Sequence, residues 1–341
     1  MRKKEILARS LSFVLPNALF SNVRHWFKND LIILAYHRVL SVNKGSVFQY
    51  DTGLISATVD EFETQISFIR KYYNPISETQ LINHIYHNEP LPPKPVMVTF
   101  DDGFDDNYLN AYPILKRYNV PATMFVSTAY IGGNEPIWFD WLASLCISAS
   151  MKKIEIPVLK KSYIINEYPD RELIYKDLIK VIREINNEVR LKVLDQLKVS
   201  YSDYMIHIDR SMSKFMNWNQ VIEMSNDNIT VGSHTVTHPI MSRLNNTEIS
   251  YELNTSKEVI ESHINKNIMS FSYPTGQATS FTNYILNEVI NSGYKVAHTY
   301  IHGINKLPIN QPHSLNRLHI ESHVNESYFK SMLMLPEIFR G

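Results

Sequence analysis

The sequence predicts an α/β fold of the barrel type, on three observations. Apolar segments that read as strands open at Leu31, Val96, Ala122, Ile229, Met269, Lys295 and Leu318, and helical patterns separate most of them. Between Val96 and Val126 the order is strand, helix, strand, which implies a parallel pair joined by a right-handed crossover. The strand from Val96 to Phe100 ends on two adjacent carboxylates and a glycine, Asp101-Asp102-Gly103. An apolar run that stops at acids has the form of a barrel strand's C-terminal end, where such folds carry their chemistry.

The chain of 341 residues suits one large domain, or one domain with an insertion. Residues 1–30 read as an N-terminal helical extension, in which Ile6, Leu7, Leu11, Val14, Leu15, Leu19 and Phe20 interleave with six basic residues. Such a helix either packs on the barrel or lies on an anionic membrane surface. Arg9 and Pro16 interrupt its apolar region and no small-residue cleavage site follows, so it does not read as a signal peptide. No run approaches the ~18 apolar residues that span a bilayer. The expectation is a cytoplasmic protein, membrane-associated if the extension contacts lipid.

Leu31 to Tyr36 is the first strand, followed by His37-Arg38. Thr58 to Tyr73 carries Phe62, Ile66, Phe68 and Ile69 at helical spacing, capped by Thr58 or Asp60. Ser77 to Tyr86 is a shorter helix, and Leu91-Pro92-Pro93-Lys94-Pro95 forces an extended entry into the aspartate strand. Asn107 to Tyr118 is the next helix, with Leu109, Ala111, Ile114 and Leu115 expected inside, before the strand Ala122 to Val126. Trp138, Phe139 and Trp141 form an aromatic cluster that serves either as core or as a platform for the flat apolar face of a sugar.

Residues from about 140–215 depart from the barrel rhythm and read as an inserted, mostly helical subdomain. Within it, Ile154 to Val158 and Tyr163 to Glu167 alternate like a hairpin, and Asp170 to Leu197 reads as helices. Asn217-Trp218-Asn219 starts a further helix. Thr247 to His263 is a clear one, with Thr247 expected as its cap. Met269 to Tyr273, Lys295 to Thr299 and Leu318 to Ile320 are the remaining strands, and Phe281 to Asn291 is a helix stopped by Gly293.

Lys plus Arg equals Asp plus Glu at 34 each, and this neutral balance argues against a nucleic-acid partner. A neutral glycan or small sugar fits better. Cys146 is the only cysteine, so neither an internal disulfide nor a cysteine-rich zinc site can form. Adjacent aspartates on a strand point to opposite faces, so one can bind a metal while the other faces a reacting water; the alternative for Asp-Asp-Gly is a simple turn. After Ile229 to Val231 comes Gly232-Ser233-His234-Thr235-Val236-Thr237-His238-Pro239. Its two histidines, four residues apart, can converge on one ion; with one carboxylate they make three ligands and leave a position open, as at catalytic zinc. Thr235 stands where a zincin would carry its glutamate, which excludes that pattern. The alternative is two surface histidines in a polar loop.

Thr99-Phe100-Asp101-Asp102-Gly103 and Ser233-His234-Thr235-Val236-Thr237-His238 resemble the first two motifs of the polysaccharide deacetylases, the NodB-like carbohydrate esterases of family 4. Phe271-Ser272-Tyr273-Pro274-Thr275-Gly276 is similar to the third, and Ala35-Tyr36-His37-Arg38-Val39 resembles the opening of one subgroup. The resemblance runs from roughly Leu31 to Ile320 with one long interruption. It implies a distorted (β/α)7-type barrel over residues 31–341, with Asp102, His234 and His238 holding a divalent ion, Zn²⁺ by preference. Asp101 takes the part of catalytic base. The oxyanion is met by the metal and a backbone N–H near Thr275, with Tyr273, Pro274, Gly276 and Trp138 as substrate-side residues.

Two departures stand out. Leu318-His319-Ile320 carries its histidine one residue early, so the general acid is expected at His37, as in the subgroup, with His319 as the alternative. Ser272 replaces the arginine that orients the base; Arg38 or Arg317 can supply that guanidinium from another strand end, and Arg317 is counted with the catalytic residues. The implied activity is metal-dependent removal of N-acetyl groups from a polysaccharide or from a lipid- or nucleotide-linked glycan precursor. The alternatives are an O-acetyl esterase or deformylase acting on a sugar, and an inactive glycan-binding module of the same fold.

Overall fold

The computed structural model describes residues 29–42, 48–147, 152–165, 170–205 and 210–339. The helical extension expected over 1–30 therefore lies outside the described residues, apart from Asn29 and Asp30. Seven strands make a closed parallel barrel: β1 (Asp30–Tyr36), β2 (Pro95–Phe100), β3 (Ala122–Val126), β4 (Ile229–Ser233), β5 (Ser270–Ser272), β6 (Val296–His302) and β7 (Leu315–His319). Each pairs with the next in chain order, and β7 returns to β1 through Leu34↔Leu318 and Ala35↔His319. The Asn305–Lys306 strand adds antiparallel to the start of β1, and Asn74–Pro75 adds to the start of β2.

Strand alternation divides the apolar residues into two sets. Ile32, Leu34, Tyr36, Val96, Val98, Phe100, Met124 and Val231 belong to the large outer core, with Phe62, Ile66 and Ile69 of helix α1 (Val59–Tyr72). Leu31, Ile33, Met97, Val296 and Leu315 form a second cluster with Leu81 and Ile82 of α2 (Glu78–His87). This helix closes the barrel at the N-terminal end of its strands. Glu78, at its first position, accepts from Thr123 Oγ1 at 2.8 Å and lies 2.8 Å from His298 Nε2, so it ties β3 to β6. Phe125 fills the interior beside them, its ring 5.0 Å from that of His298. Gly232 is required for this: a Cβ there would lie 2.5 Å from the Phe125 ring.

The helices follow local signals. Thr58 and Ser77 cap α1 and α2 in reciprocal capping boxes with Glu61 and Gln80, and Asn217 does so with Gln220 at the start of α7 (Trp218–Ser225). Between α2 and α7 run α3 (Tyr112–Tyr118), α4 (Trp138–Ile147), α5 (Asp170–Glu184) and α6 (Asn187–Ser200). After β4 come α8 (Asn246–Ile264), α9 (Asn283–Asn291) and α10 (Glu326–Met334). The cap of α8 is Asn245, boxed with Glu248, and not Thr247. Leu109 is exposed rather than inside, because Asn107–Ala111 forms a π-helical turn that rotates the register ahead of α3.

Between α4 and α7, Lys153–Ile156 pairs antiparallel with Lys161–Ile164. This hairpin begins and turns earlier than the expected Ile154 to Val158 with Tyr163 to Glu167, whose last two residues lie outside the described ones. Helices α5 and α6 divide the helical stretch. Among the described residues, no helix is long and apolar enough to cross a membrane.

Candidate active site

The C-terminal ends of the barrel strands open on a cleft lined by His37, Asp101, Asp102, His234, His238, Tyr273 and Thr275. Strand register brings them together. Tyr36 pairs with Phe100, so His37 and Asp101 leave adjacent strands side by side. Val126 pairs with Ser233 and Ser233 with Phe271, which aligns the ends of β3, β4 and β5.

Alternation alone would send one of the two aspartates away from the barrel mouth, yet both carboxylates line it. The backbone of Asp102 is left-handed, φ 76°, and this turn redirects its side chain to the side where Asp101 already points. Thr235 (φ 70°), His238 (φ 53°) and Thr275 (φ 61°) share this conformation. Among the described residues, the β-branched ones held in this conformation, Thr235 and Thr275, are both at the site.

Asp101 is buried and clamped by Arg317 of β7. Arg317 Nη1 donates to Oδ1 at 2.9 Å and Nη2 to Oδ2 at 2.6 Å. The same guanidinium donates to Ser272 Oγ at 3.0 Å, to Thr99 Oγ1 at 3.1 Å and to the Thr299 carbonyl at 2.7 Å. The small Ser272 thus accepts the arginine that the third motif lacks. Burial acts to raise the Asp101 carboxyl, but Arg317, with His234 and His37, holds it well below the ordinary carboxylate range. Arg38, the other candidate, is committed to Asp106, with Nε 2.8 Å from Oδ2.

Asp102 faces the two histidines: its Oδ1 lies 3.5 Å from His234 Nε2 and 3.3 Å from His238 Nε2. Burial acts to raise its carboxyl, and His238, His37 and His234 hold it below the usual value. His234 Nδ1 lies 2.7 Å from the Ser272 carbonyl, so Nδ1 carries the proton and Nε2 keeps its lone pair toward Asp102. Burial lowers the His234 imidazole to about 4, against the pull of Asp101, and it is neutral at physiological pH. Ligand atoms of Asp102, His234 and His238 all lie within 4.8 Å of one another. Both Asp102 oxygens are buried with no hydrogen-bond partner, as fits a carboxylate built for a cation. These three side chains can hold a divalent ion and leave coordination positions open.

The two expected acids are placed differently. His37 lines the cleft and is half-buried. His319 does not line it, because Tyr300 stacks on its ring with centroids 3.6 Å apart and an interplanar angle of 4°. Burial, with His302 and Arg317 nearby, lowers His319 to about 3.

Trp138 is not a platform for a ligand. Its ring is buried and its Nε1 donates to the His238 carbonyl at 2.9 Å, so it supports the histidine loop from behind, while Phe139 reaches the cleft. Pro274 and Gly276 lie outside the lining and shape the turn that presents Thr275; a Cβ on Gly276 would stand 2.4 Å from the Tyr300 nitrogen. Sequence reasoning missed Asp51, Arg183, Tyr300 and Glu321, which also line the cleft. Asp51 is held by Tyr175 of α5, whose hydroxyl donates to Oδ2 at 2.8 Å. No local motif marks these four; only the tertiary structure assembles them.

A family model described as polysaccharide deacetylase matches residues 88–156 and 175–297, more than half of the chain. The poly-β-1,6-N-acetyl-D-glucosamine N-deacetylase of Staphylococcus aureus is 31% identical over 111 residues. That stretch spans 31% of this chain and 38% of the relative's length. Among solved structures, the Streptococcus pyogenes deacetylase PplD in complex with acetate superposes with a TM-score of 0.59 at 19% identity, covering 89% of this chain and 98% of that one. IcaB from Ammonifex degensii superposes at 0.56 and 16% identity, covering 90% and 97%. At these identities the structures establish a common fold.

Proposed function

Because this chain belongs to the polysaccharide deacetylase family, we propose that it is a metal-dependent hydrolase removing N-acetyl groups from an acetylated glycan, either a polysaccharide or a lipid- or nucleotide-linked precursor. The observation that carries this reading is the division of labour between neighbouring carboxylates. Asp101 is locked to Arg317, while Asp102 is offered, without a hydrogen bond, to two imidazoles in the same cleft. A binding module has no use for that pair.

Asp102, His234 and His238 would hold the ion, for which Zn²⁺ suits two imidazoles and one carboxylate. Such an ion polarises the acetyl carbonyl and lowers the pKa of water from 15.7 toward ~7. Asp101, kept ionised and oriented by Arg317, accepts the proton of the attacking water. As water oxygen bonds to the carbonyl carbon, a backbone N–H near Thr275, a residue that lines the cleft, would meet the developing oxyanion. His37 then gives a proton to the sugar nitrogen, the C–N bond breaks, and acetate and a free amine leave. Tyr300 keeps His319 out of this step.

The test is mass spectrometry of acetylated chito- and β-1,6-linked oligosaccharides and of sugar-nucleotide precursors after incubation with the Zn²⁺-loaded protein. The expected result is loss of one C2H2O unit per modified sugar with release of acetate. Binding of these glycans without mass change would overturn the proposal in favour of an inactive module.

A further inference from the structure

We infer that Glu252 of α8, outside the lining of the cleft, is a positioning residue that presets the two histidines for the metal ion; this rests on the reading of Asp102, His234 and His238 as its ligands. The segment joining the histidines is held in an unfavourable shape, with left-handed backbone at Thr235 and at His238 itself. A β-branched residue resists that conformation, so the loop needs outside restraint.

Glu252 supplies it at the middle of the loop. Its Oε2 accepts from Val236 N at 2.6 Å and from Thr237 N at 3.0 Å, and its Oε1 accepts from Thr237 Oγ1 at 2.6 Å. Thus one buried carboxylate binds both residues that lie between Thr235 and His238. Among the described residues, its side-chain hydrogen bonds all go to this loop. The helix does not need it for docking, since Ile249, Leu253, Ser256 and Ile260 already bury its inner face. Trp138 Nε1 also holds the His238 carbonyl, and Tyr130 Oη donates to the Thr237 carbonyl at 3.3 Å. Glu252 thus fixes donors of the loop while Trp138 and Tyr130 fix its acceptors, and the separation of the imidazoles is set before any ion arrives. Partners that orient metal ligands in this way typically govern affinity by about 10–100-fold.

The experiment titrates Zn²⁺ against a chromophoric chelator competing with the full chain, for wild type, Glu252→Gln, Thr237→Val and Asp102→Asn, and records the melting temperature of each ion-free protein. Glu252→Gln keeps the shape but gives up one acceptor oxygen. It is expected to weaken Zn²⁺ binding by about 10–100-fold, with Thr237→Val weaker than wild type by a smaller factor. A Glu252→Gln protein that binds Zn²⁺ like wild type overturns the inference, whatever its melting temperature. If that variant does not fold, wild-type affinity in Thr237→Val overturns it instead. Failure of the metal reading looks different: wild type takes up no Zn²⁺, or Asp102→Asn binds as well as wild type.

Discussion

Arg317 and Asp101 are 216 residues apart and face each other through two parallel N–H···O bonds of 2.9 and 2.6 Å in the barrel mouth. Bidentate geometry of this kind is beyond lysine. The arginine also holds down the proton affinity of a carboxyl that its burial alone would raise. Arg317→Met should therefore shift the acidic limb of the pH–kcat/KM profile upward by about 1–3 units, since Asp101 must be ionised to act. Arg317→Lys should recover only part of the shift. An acidic limb that stays in place in Arg317→Met would show that the base is another group.

The two aspartates should separate in a metal assay. Asp101→Asn is expected to lose turnover while keeping the wild-type ion content, measured by elemental analysis after gel filtration. Asp102→Asn should lose both. The reverse pattern would mean that the roles are exchanged.

His37→Ala should lower turnover by about 10²–10⁴ without loss of ion, as expected for a general acid. His319→Ala should have a far smaller effect, because Tyr300 covers that ring and its imidazole is neutral until about pH 3. Steady-state kinetics on one acetylated oligosaccharide decide between them; a larger loss in His319→Ala would move the acid to β7.

Arg183 of α5 is exposed and lines the cleft. Arg183→Ala is expected to raise KM several-fold with kcat nearly unchanged, the signature of lost uniform binding. A fall in kcat at constant KM would place this side chain in the chemistry.

Asp140 gives a pH-dependent stability. It is fully buried in α4, accepts from Ser213 Oγ at 2.7 Å, and is raised by burial to about 7 despite Arg38 nearby. The unfolded chain releases this proton near the ordinary value of 3.8, and the folded one releases it only near 7. Between those values the folded state binds the extra proton, so stability falls as pH rises through the window. Asp140→Asn should flatten the curve of melting temperature against pH from about 4 to about 7. An unchanged slope would mean that Asp140 is ionised in the fold.

Much of the site was legible because barrel folds concentrate chemistry at strand ends, and two ends here carry Asp-Asp-Gly and a His pair. Helix starts were legible where a cap and its return partner sit three residues apart, as at Thr58 and Ser77. The same rule identifies Asn245 with Glu248, which reading Thr247 as the cap overlooked. Leu109 was misjudged because a π turn breaks the 3.6-residue period that the inference used. Trp138 was open between core and platform; its N–H partner on His238 decides for core, and no spacing rule announces such a bond. Arg317 rather than Arg38 meets Asp101 although β7 does not pair with β2; the contact reaches past β1 across the barrel mouth, and so depends on how the ring of strands shuts.

The barrel is stoppered at one end. Leu31, Ile33, Met97, Val296 and Leu315 pack there against Leu81 and Ile82, and Glu78 bridges Thr123 and His298. The cleft of Asp101 and Asp102 lies at the other rim, so among the described residues that rim is the face a partner of the proposed site would meet.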